Sequence, residues 1–329
     1  MYTEIIQRLS GSKLKKWEYF ISQMGLAPDL LIEKTVLLWD GDEIIATGSR
    51  YNNILKLIAV DPFYQGNDLT STVISELRRD AFADGYRSLF LYTKPENEAI
   101  FSSLFFYPIA STDRVLLLED KKDGISQFVA GLPRADKCGK IGSIVMNCNP
   151  FTLGHQYLIE RAASECDHLY VFVLSEDRSE FAASDRIEMV RLGTSHIENL
   201  SVLPTGSYLI SSATFPTYFL KNRDNIADAQ CGLDIAIFSK YFVPALGITH
   251  RFVGSEPISA LTAAYNKALA CNLPQKGVEV IEVERKEHNG EPISASRVRQ
   301  LIEEKNFEGL NALLPQTTID FIRQKRYIK

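Results

Sequence analysis

The 329-residue sequence lacks the features that mark several large classes of protein. It has only five cysteines, with no CxxC pair among them, at positions 138, 148, 166, 231 and 271. This spacing gives neither a zinc site nor a disulfide framework, and it is typical of a reducing compartment. No apolar run reaches the ~18 residues of a membrane helix, and the N-terminus has no signal-peptide core. We therefore expect a soluble, cytoplasmic protein.

The sequence also has little excess charge and no fixed-period repeat. Its net charge of -5 argues against nucleic acid or an anionic membrane as a partner. With 329 residues, of which 45% are hydrophobic, the chain is long enough for two domains with buried cores.

A change of composition indicates where the chain divides. Residues 118–140 are first charged and then contain glycine and proline, with weak periodicity. Such a stretch is typical of a linker. We predict a first domain over residues 1–125, a linker over 126–137 and a second domain over 138–329.

The first domain has the pattern of a mixed α+β fold. Two apolar stretches flank the turn Asp40-Gly41-Asp42, which predicts a β-hairpin, and "NILKLIAV" predicts another strand. A helix is predicted to follow and to end at Gly85, with apolar residues at 69, 73, 74, 77, 81 and 82.

Strand and helix patterns alternate in the second domain. Four apolar stretches predict strands, and amphipathic stretches separate them; the four are "IGSIVM", "LYVFVLS", "HRFVGS" and "GVEVIEVER". One further stretch, "LDIAIFSKYFVPALG", is ambiguous. This alternation predicts a Rossmann-like, doubly wound parallel sheet. Ligands of such sheets bind at the carboxyl ends of the strands.

The turn "NPFTLGH", from Asn149 to His155, lies at such an end and opens a helix. A helix N-terminus attracts phosphate through its free N–H groups and its partial positive charge. Gly154 allows close approach to the backbone, and Thr152 and His155 add side-chain donors. The turn suits a triphosphate whose α-phosphorus is attacked. The alternative is that Thr152 only caps the helix and His155 packs on the surface.

A second turn, "ISASRVR" at residues 293–299, follows the last predicted strand and opens another helix. Ser294 and Ser296 offer hydroxyl groups, and Arg299 offers a planar, permanent cation. Taken alone, this stretch could be a capping serine with a solvated arginine. Cys148, beside the first turn, is interpreted as a buried structural cysteine and not as an acyl-accepting thiol.

Together, the two turns resemble the nucleotidyltransferase superfamily, whose motifs are an (H/T)xGH turn and an ISxSxxR-like turn. In that superfamily the first motif holds the α- and β-phosphates of ATP and the second holds the β- and γ-phosphates. The resemblance implies that the catalytic residues are Thr152, His155, Ser296 and Arg299. It implies that Arg178 faces the acceptor substrate and that no residue is a metal ligand. It implies that ATP is bound by Asn149, Phe151, Gly154, Gly254, Ser255, Glu256, Ile293 and Ser294.

The first domain resembles the N-acetyltransferase (GNAT) fold in "LKLIAVDPFYQGNDLTSTVISEL". The family has R/Q-G-x-G-x-G/A at the start of the helix, where the N–H groups hold the pyrophosphate of acetyl-CoA. Gln65 and Gly66 match this pattern, but Asp68 replaces the second glycine and Thr70 the third small residue. An aspartate repels a diphosphate and its Cβ narrows the approach. We therefore predict that this domain does not use acetyl-CoA.

A GNAT-like domain joined to a TxGH domain resembles the citrate lyase ligase family over most of the chain. The likeness lies in "VDPFYQG", "LYTKPEN", "VMNCNPFTLGHQYLIE", "LPTGSYLISSATFPTYFLK" and "ISASRVR". It implies ATP-dependent acetylation of a thiol on the acyl-carrier subunit of citrate lyase, through acetyl-adenylate, with release of AMP and pyrophosphate. The implied cofactors are ATP and Mg2+. The implied partners are acetate and a carrier with a phosphoribosyl-dephospho-CoA prosthetic group.

Three alternatives remain open at this point. The same motifs would serve a cofactor adenylyltransferase that makes a dinucleotide-type product, but the additional first domain argues against it. An acetyltransferase with a nucleotide-binding regulatory domain is opposed by Asp68. A non-catalytic ATP sensor is opposed by the full set of phosphate-binding residues.

Overall fold

The structure is a computed structural model that describes residues 1–29, 31–136, 139–175, 179–209, 218, 223–257, 259–325 and 327. The chain forms two compact units. The N-terminal unit is Met1–Gly124 with Thr214–Ala236, and the C-terminal unit is Ile125–Ala213 with Ile237–Lys329. The sequence did not indicate that residues 214–236 belong to the first unit. Nor did it indicate that a helix occupies part of the predicted linker.

The N-terminal unit is a seven-stranded mixed sheet with helices. Its strands lie in the order β1-β2-β3-β4-β5-β7-β6, and only β4 and β5 are parallel neighbours. The elements are β1 (Tyr2–Ile6), α1 (Gly11–Gln23), β2 (Lys34–Asp40), β3 (Glu43–Tyr51), β4 (Ile54–Val60), α2 (Leu69–Ala83), β5 (Phe90–Thr93), α3 (Glu98–Ser103), β6 (Tyr107–Ser111) and β7 (Leu116–Glu119).

The predicted hairpin and helix of this unit are confirmed. Gly41 has a φ of +57° in the turn between β2 and β3, a conformation that glycine adopts without strain. Helix α2 is apolar on one side because its hydrophobic residues recur every three or four positions. Its buried residues are Leu69, Val73, Ile74, Leu77 and Ala81.

Strands β4 and β5 pair only over their first residues, Ile54–Phe90 and Leu55–Leu91. Beyond this point a cavity of about 440 Å³ is lined by residues of both strands and by Tyr218. The Tyr218 hydroxyl donates to the Tyr92 carbonyl at 3.2 Å. These contacts explain why this part of residues 214–236 belongs to the N-terminal unit.

The C-terminal unit contains a five-stranded parallel sheet. The elements along this part of the chain are α4 (Gly124–Ala130), β8 (Ile141–Met146), α5 (Leu153–Ser164), β9 (His168–Val173), α6 (Ala183–Gly193), β10 (Leu200–Pro204), α7 (Arg223–Ile237, of which only Ile237 belongs to this unit), a π-helical turn (Phe238–Phe242), α8 (Val243–Leu246), β11 (His250–Gly254), α9 (Ala260–Asn272), β12 (Glu279–Val283), β13 (Glu287–His288), β14 (Glu291–Pro292), α10 (Ala295–Glu303) and α11 (Gln316–Gln324).

The strand order is β10-β9-β8-β11-β12, and all neighbours are parallel. The predicted doubly wound fold is therefore confirmed, and the ambiguous stretch at 233–247 is largely helical. The order reverses between β8 and β11, which makes their carboxyl ends a topological switch point, the usual ligand site of this fold. Among the described residues, no helix is long and apolar enough to cross a membrane.

Candidate active site

The two predicted motif turns meet in one cavity of the C-terminal unit. This cavity has a volume of about 500 Å³ and lies at the carboxyl ends of β8, β11 and β12. The predicted site residues that line it are Thr152, Gly154, His155, Gly254, Glu256, Ile293, Ser294 and Ser296. The N-termini of α5 and α10 therefore contribute to the same cavity, and their free N–H groups favour an anion there.

Thr152 and His155 form a reciprocal cap at the start of α5. The Thr152 hydroxyl accepts from the His155 N–H at 3.3 Å, and the Thr152 N–H donates to His155 Nδ1 at 3.0 Å. Because Nδ1 is an acceptor, the proton of the neutral ring lies on Nε2, which is then a donor. The capping role and the phosphate-binding role are thus compatible.

The environment of His155 keeps its imidazole neutral. Burial, together with the smaller effect of the nearby positive charge of Arg285, lowers the pKa of His155 to about 4. At pH 7 the ring is therefore an uncharged hydrogen-bond donor. The ring of Phe151, which is fully buried, stacks on the imidazole with centroids 6.0 Å apart. Phe151 therefore packs against His155 on the side of the hydrophobic core and does not line the cavity.

Gly154 is required by the close approach of the two motif turns. A Cβ at this position would lie 3.1 Å from the Ile293 carbonyl oxygen and 3.5 Å from the Thr152 hydroxyl. The first contact is tight and involves backbone that precedes α10, whereas the second is an ordinary van der Waals contact. Glycine thus allows the segment before α10 to pack on the start of α5.

Arg299 links the two motifs. Its Nη1 donates to the Asn149 carbonyl at 2.7 Å, and its Nη2 donates to the Ser296 hydroxyl at 3.2 Å. Its Nε lies 3.7 Å from a carboxylate oxygen of Glu180. The guanidinium does not line the cavity, so in this arrangement it holds the motif backbones together.

Arg285 holds the loop that follows β11 through hydrogen bonds and an ion pair. Arg285 Nε donates to the Ser255 carbonyl at 2.6 Å, and the Arg285 N–H donates to the Ser255 hydroxyl at 3.2 Å. Arg285 also forms an ion pair with Glu256, whose carboxylate accepts from the Ser259 N–H at 3.0 Å. Ser255 does not line the cavity, and Glu256 is 6% exposed at its side chain.

Among the cationic residues of the cavity lining, Arg285 and Lys286 stand at the end of a strand and were not predicted from the sequence. A signal for them was present, because Arg285 ends the strand predicted from "GVEVIEVER" and Lys286 directly follows it. Carboxyl ends of parallel strands share one edge of the sheet, so basic residues there reach the ligand site. Asn266 of α9 was also missed; its Nδ2 donates to the Gly254 carbonyl at 2.9 Å.

A buried arginine fixes the backbone just before the first motif. Arg186 is fully buried; its Nη1 donates to the Asn147 carbonyl at 2.8 Å and its Nε to the Phe181 carbonyl at 3.0 Å. Asn149 Oδ1 accepts from the Phe181 N–H at 3.2 Å. Asn149 therefore holds the turn and does not line the cavity. The predicted acceptor-side residue Arg178 lies outside the described residues.

Replacing Arg186 by methionine should destabilise the fold. The change leaves the Asn147 and Phe181 carbonyls without a charged donor, and a hydrogen bond to a charged group contributes about 1.5–3 kcal/mol. We expect the free energy of unfolding to fall by about 3 kcal/mol in urea titrations. Arg191→Met, on the exposed side of the same helix, is the control. Equal losses in the two variants would contradict a specific role for Arg186.

Cys148 has the surroundings of a structural residue. It is fully buried, and burial raises the pKa of its thiol well above the usual value. A thiolate is the reactive form of cysteine, so a buried neutral thiol is a poor acyl acceptor. This agrees with the structural interpretation of Cys148.

The fold and the cavity define an α/β protein with a parallel, doubly wound sheet and a ligand site at its topological switch point. Residues 141–322 match the family described as "Citrate lyase ligase C-terminal domain". The chain is 41% identical over 311 residues to the [Citrate [pro-3S]-lyase] ligase of Klebsiella pneumoniae, covering 93% of this chain and 91% of that protein. It is 36% identical over 325 residues to the Escherichia coli K12 protein of the same name, covering 97% and 92%.

The chain belongs to the citrate lyase ligase family. A shorter similarity extends to the phosphopantetheine adenylyltransferase of Symbiobacterium thermophilum. It has 43% identity over 67 residues and covers 20% of this chain and 41% of that protein.

Proposed function

We propose that this protein is an ATP-dependent, AMP-forming ligase that acetylates the thiol on the acyl carrier of citrate lyase. One observation carries the proposal within this family. The starts of α5 and α10 present Thr152, His155, Ser294 and Ser296 to a single cavity. Two helix N-termini aimed at one space suit a polyphosphate better than any neutral ligand.

The proposed reaction has two steps. A carboxylate oxygen of acetate attacks the α-phosphorus of ATP, and the bond to pyrophosphate breaks. The carrier thiolate then attacks the acetyl carbonyl of acetyl-adenylate, and AMP leaves with the bonding electron pair. Neither step needs a nucleophile from the protein, because a thiolate is itself a good one.

The residues contribute positioning and electrostatic stabilisation. His155 Nε2–H and the α5 N–H groups are donors for the oxygens of the α- and β-phosphates. Ser294, Ser296 and the start of α10 are donors for the departing pyrophosphate. Arg299 keeps the two sets of donors at a fixed separation through Asn149 and Ser296.

We also propose that Mg2+ accompanies ATP. The cavity lining provides oxygen donors of the hard type that Mg2+ prefers, in Thr152, Ser296 and Glu284. When bound with the phosphates, the ion would neutralise part of their charge. The proposal extends to a phosphoribosyl-dephospho-CoA prosthetic group on the carrier and, from the scattered cysteines, to a cytoplasmic location.

Isotope exchange between pyrophosphate and ATP tests the first step. Because acetyl-adenylate forms before the carrier reacts, labelled pyrophosphate should enter ATP when acetate is present and the carrier is absent. A cofactor adenylyltransferase, the alternative favoured by the short similarity reported above, would instead need a phosphorylated acceptor such as 4′-phosphopantetheine. Exchange with that acceptor and none with acetate would replace the ligase by the adenylyltransferase.

The N-terminal unit should not bind acetyl-CoA with micromolar affinity. Asp68 is exposed at the start of α2 with a φ of +53°, and its side chain makes no capping hydrogen bond. Its carboxylate and Cβ therefore stand where a diphosphate would approach the N–H groups. Calorimetry with the full chain is the measurement, since residues 214–236 complete this unit. The affinity of the unaltered chain for acetyl-CoA is compared with that of the Asp68→Gly variant. Micromolar binding by the unaltered chain would reopen the acetyltransferase alternative.

A further inference from the structure

A small hairpin places Lys286 beside the start of α10. The Ile293 N–H donates to the Lys286 carbonyl at 3.0 Å, while β13 and β14 pair in the six residues between them. The hairpin therefore begins after Lys286 and ends before Ile293, and the backbones of these two residues lie side by side. Both residues line the active-site cavity, together with Ser294 and Ser296.

Lys286 differs from its neighbour Arg285 in that it forms no ion pair within the part of the chain that the structure describes. Arg285 is ion-paired with Glu256 and hydrogen-bonded to Ser255. Among the described residues, no carboxylate lies within 4.0 Å of the Lys286 ammonium. An exposed lysine without a partner beside a helix N-terminus adds a full positive charge to the partial charge of the helix.

We propose that Lys286 is a further substrate-binding residue and that its ammonium contacts the β- and γ-phosphates of ATP. This inference rests on the proposed function, because it needs ATP in this cavity. The position beside Ser294 and Ser296 assigns the lysine to the pyrophosphate end of the nucleotide. An ammonium binds phosphate as a point charge, without the fixed fork of arginine.

The same contact should assist the reaction. Negative charge grows on the pyrophosphate as its bond to the α-phosphorus breaks. A cation at the pyrophosphate end therefore stabilises the transition state at least as strongly as it stabilises bound ATP. Loss of Lys286 should then reduce kcat as well as ATP affinity.

The test compares the binding of AMP, ADP and ATP to the full-length protein by calorimetry. Lys286→Met should weaken ATP binding about tenfold or more, which is the size expected for one hydrogen bond to a charged group. It should weaken ADP binding less and leave AMP binding within about twofold, because AMP lacks the two outer phosphates. Lys286→Arg should retain most of the ATP affinity.

Lys276→Met is the matched control. This lysine is also exposed, but it lies at the amino end of β12, away from the cavity residues. Equal weakening for AMP and ATP, or no weakening at all, would overturn the assignment of Lys286. The calorimetric measurements contain neither acetate nor carrier, so the nucleotide affinities do not depend on the second substrate. If the unaltered protein failed to bind ATP, the proposed function and this inference would both be rejected.

Discussion

Replacing His155 by alanine should lower turnover about a hundred- to a thousandfold while the fold remains intact. The Nε2–H of the neutral ring is a preorganised donor, and losing one such donor to a developing oxyanion costs about 2.7–4 kcal/mol. The fold should survive because the Thr152 hydroxyl still accepts from the N–H of residue 155. The measurement is AMP formation at saturating ATP and acetate, with circular dichroism to verify folding.

His196→Ala is the control for this variant. His196 is exposed and lies 3.1 Å from Glu160 on the surface of the same unit. It should lose little activity, since surface pairs contribute little to stability or to the site. Near-normal turnover of His155→Ala would mean that the first motif is only a structural cap.

Replacing Arg299 by alanine should lower kcat/KM for ATP about ten- to a hundredfold. Arg299 donates to the Asn149 carbonyl and to the Ser296 hydroxyl, so its loss frees the two motifs from each other. A hydrogen bond to a charged group contributes about 1.5–3 kcal/mol, which corresponds to this range. Misplaced donors should weaken ATP binding and slow the reaction together.

Two further variants sharpen this prediction. Arg299→Lys should remain impaired, because an ammonium cannot reproduce a planar fork that reaches two acceptors. Arg297→Ala is the control, since Arg297 is exposed on the first turns of the same helix. If Arg297→Ala and Arg299→Ala lost activity equally, general charge at this helix, and not the link between motifs, would explain the effect.

The parts of the site that follow local rules were predictable from the sequence. Thr152 caps α5 because a short hydroxyl side chain before a helix satisfies free N–H groups. Ser294 caps α10 in the same way, accepting from the Arg297 N–H at 3.2 Å. The alternation of strands and helices then brought both caps to one edge of the sheet. Hydrophobic spacing likewise predicted the buried side of α2.

The parts that depend on distant contacts were not predictable. Arg299 bonds to the Asn149 carbonyl 150 residues away, which motif spacing does not reveal. The need for glycine at 154 comes mainly from the Ile293 carbonyl, and not only from the approach of a ligand. Tyr218 packs in the N-terminal unit although it lies between strands of the C-terminal unit in sequence. No local sequence pattern indicates that a segment between two strands of one unit belongs to the other unit.

In the proposed reaction, ATP is cleaved at the α-phosphorus to activate acetate for a carrier thiol. The most direct measurement combines the protein with ATP, acetate and the deacetylated acyl-carrier subunit, and then analyses both the nucleotide and the carrier. We expect AMP and pyrophosphate, with a carrier heavier by one acetyl group, and neither change when acetate is omitted. Formation of ADP and phosphate would contradict the claim, because it would place the attack on the γ-phosphorus.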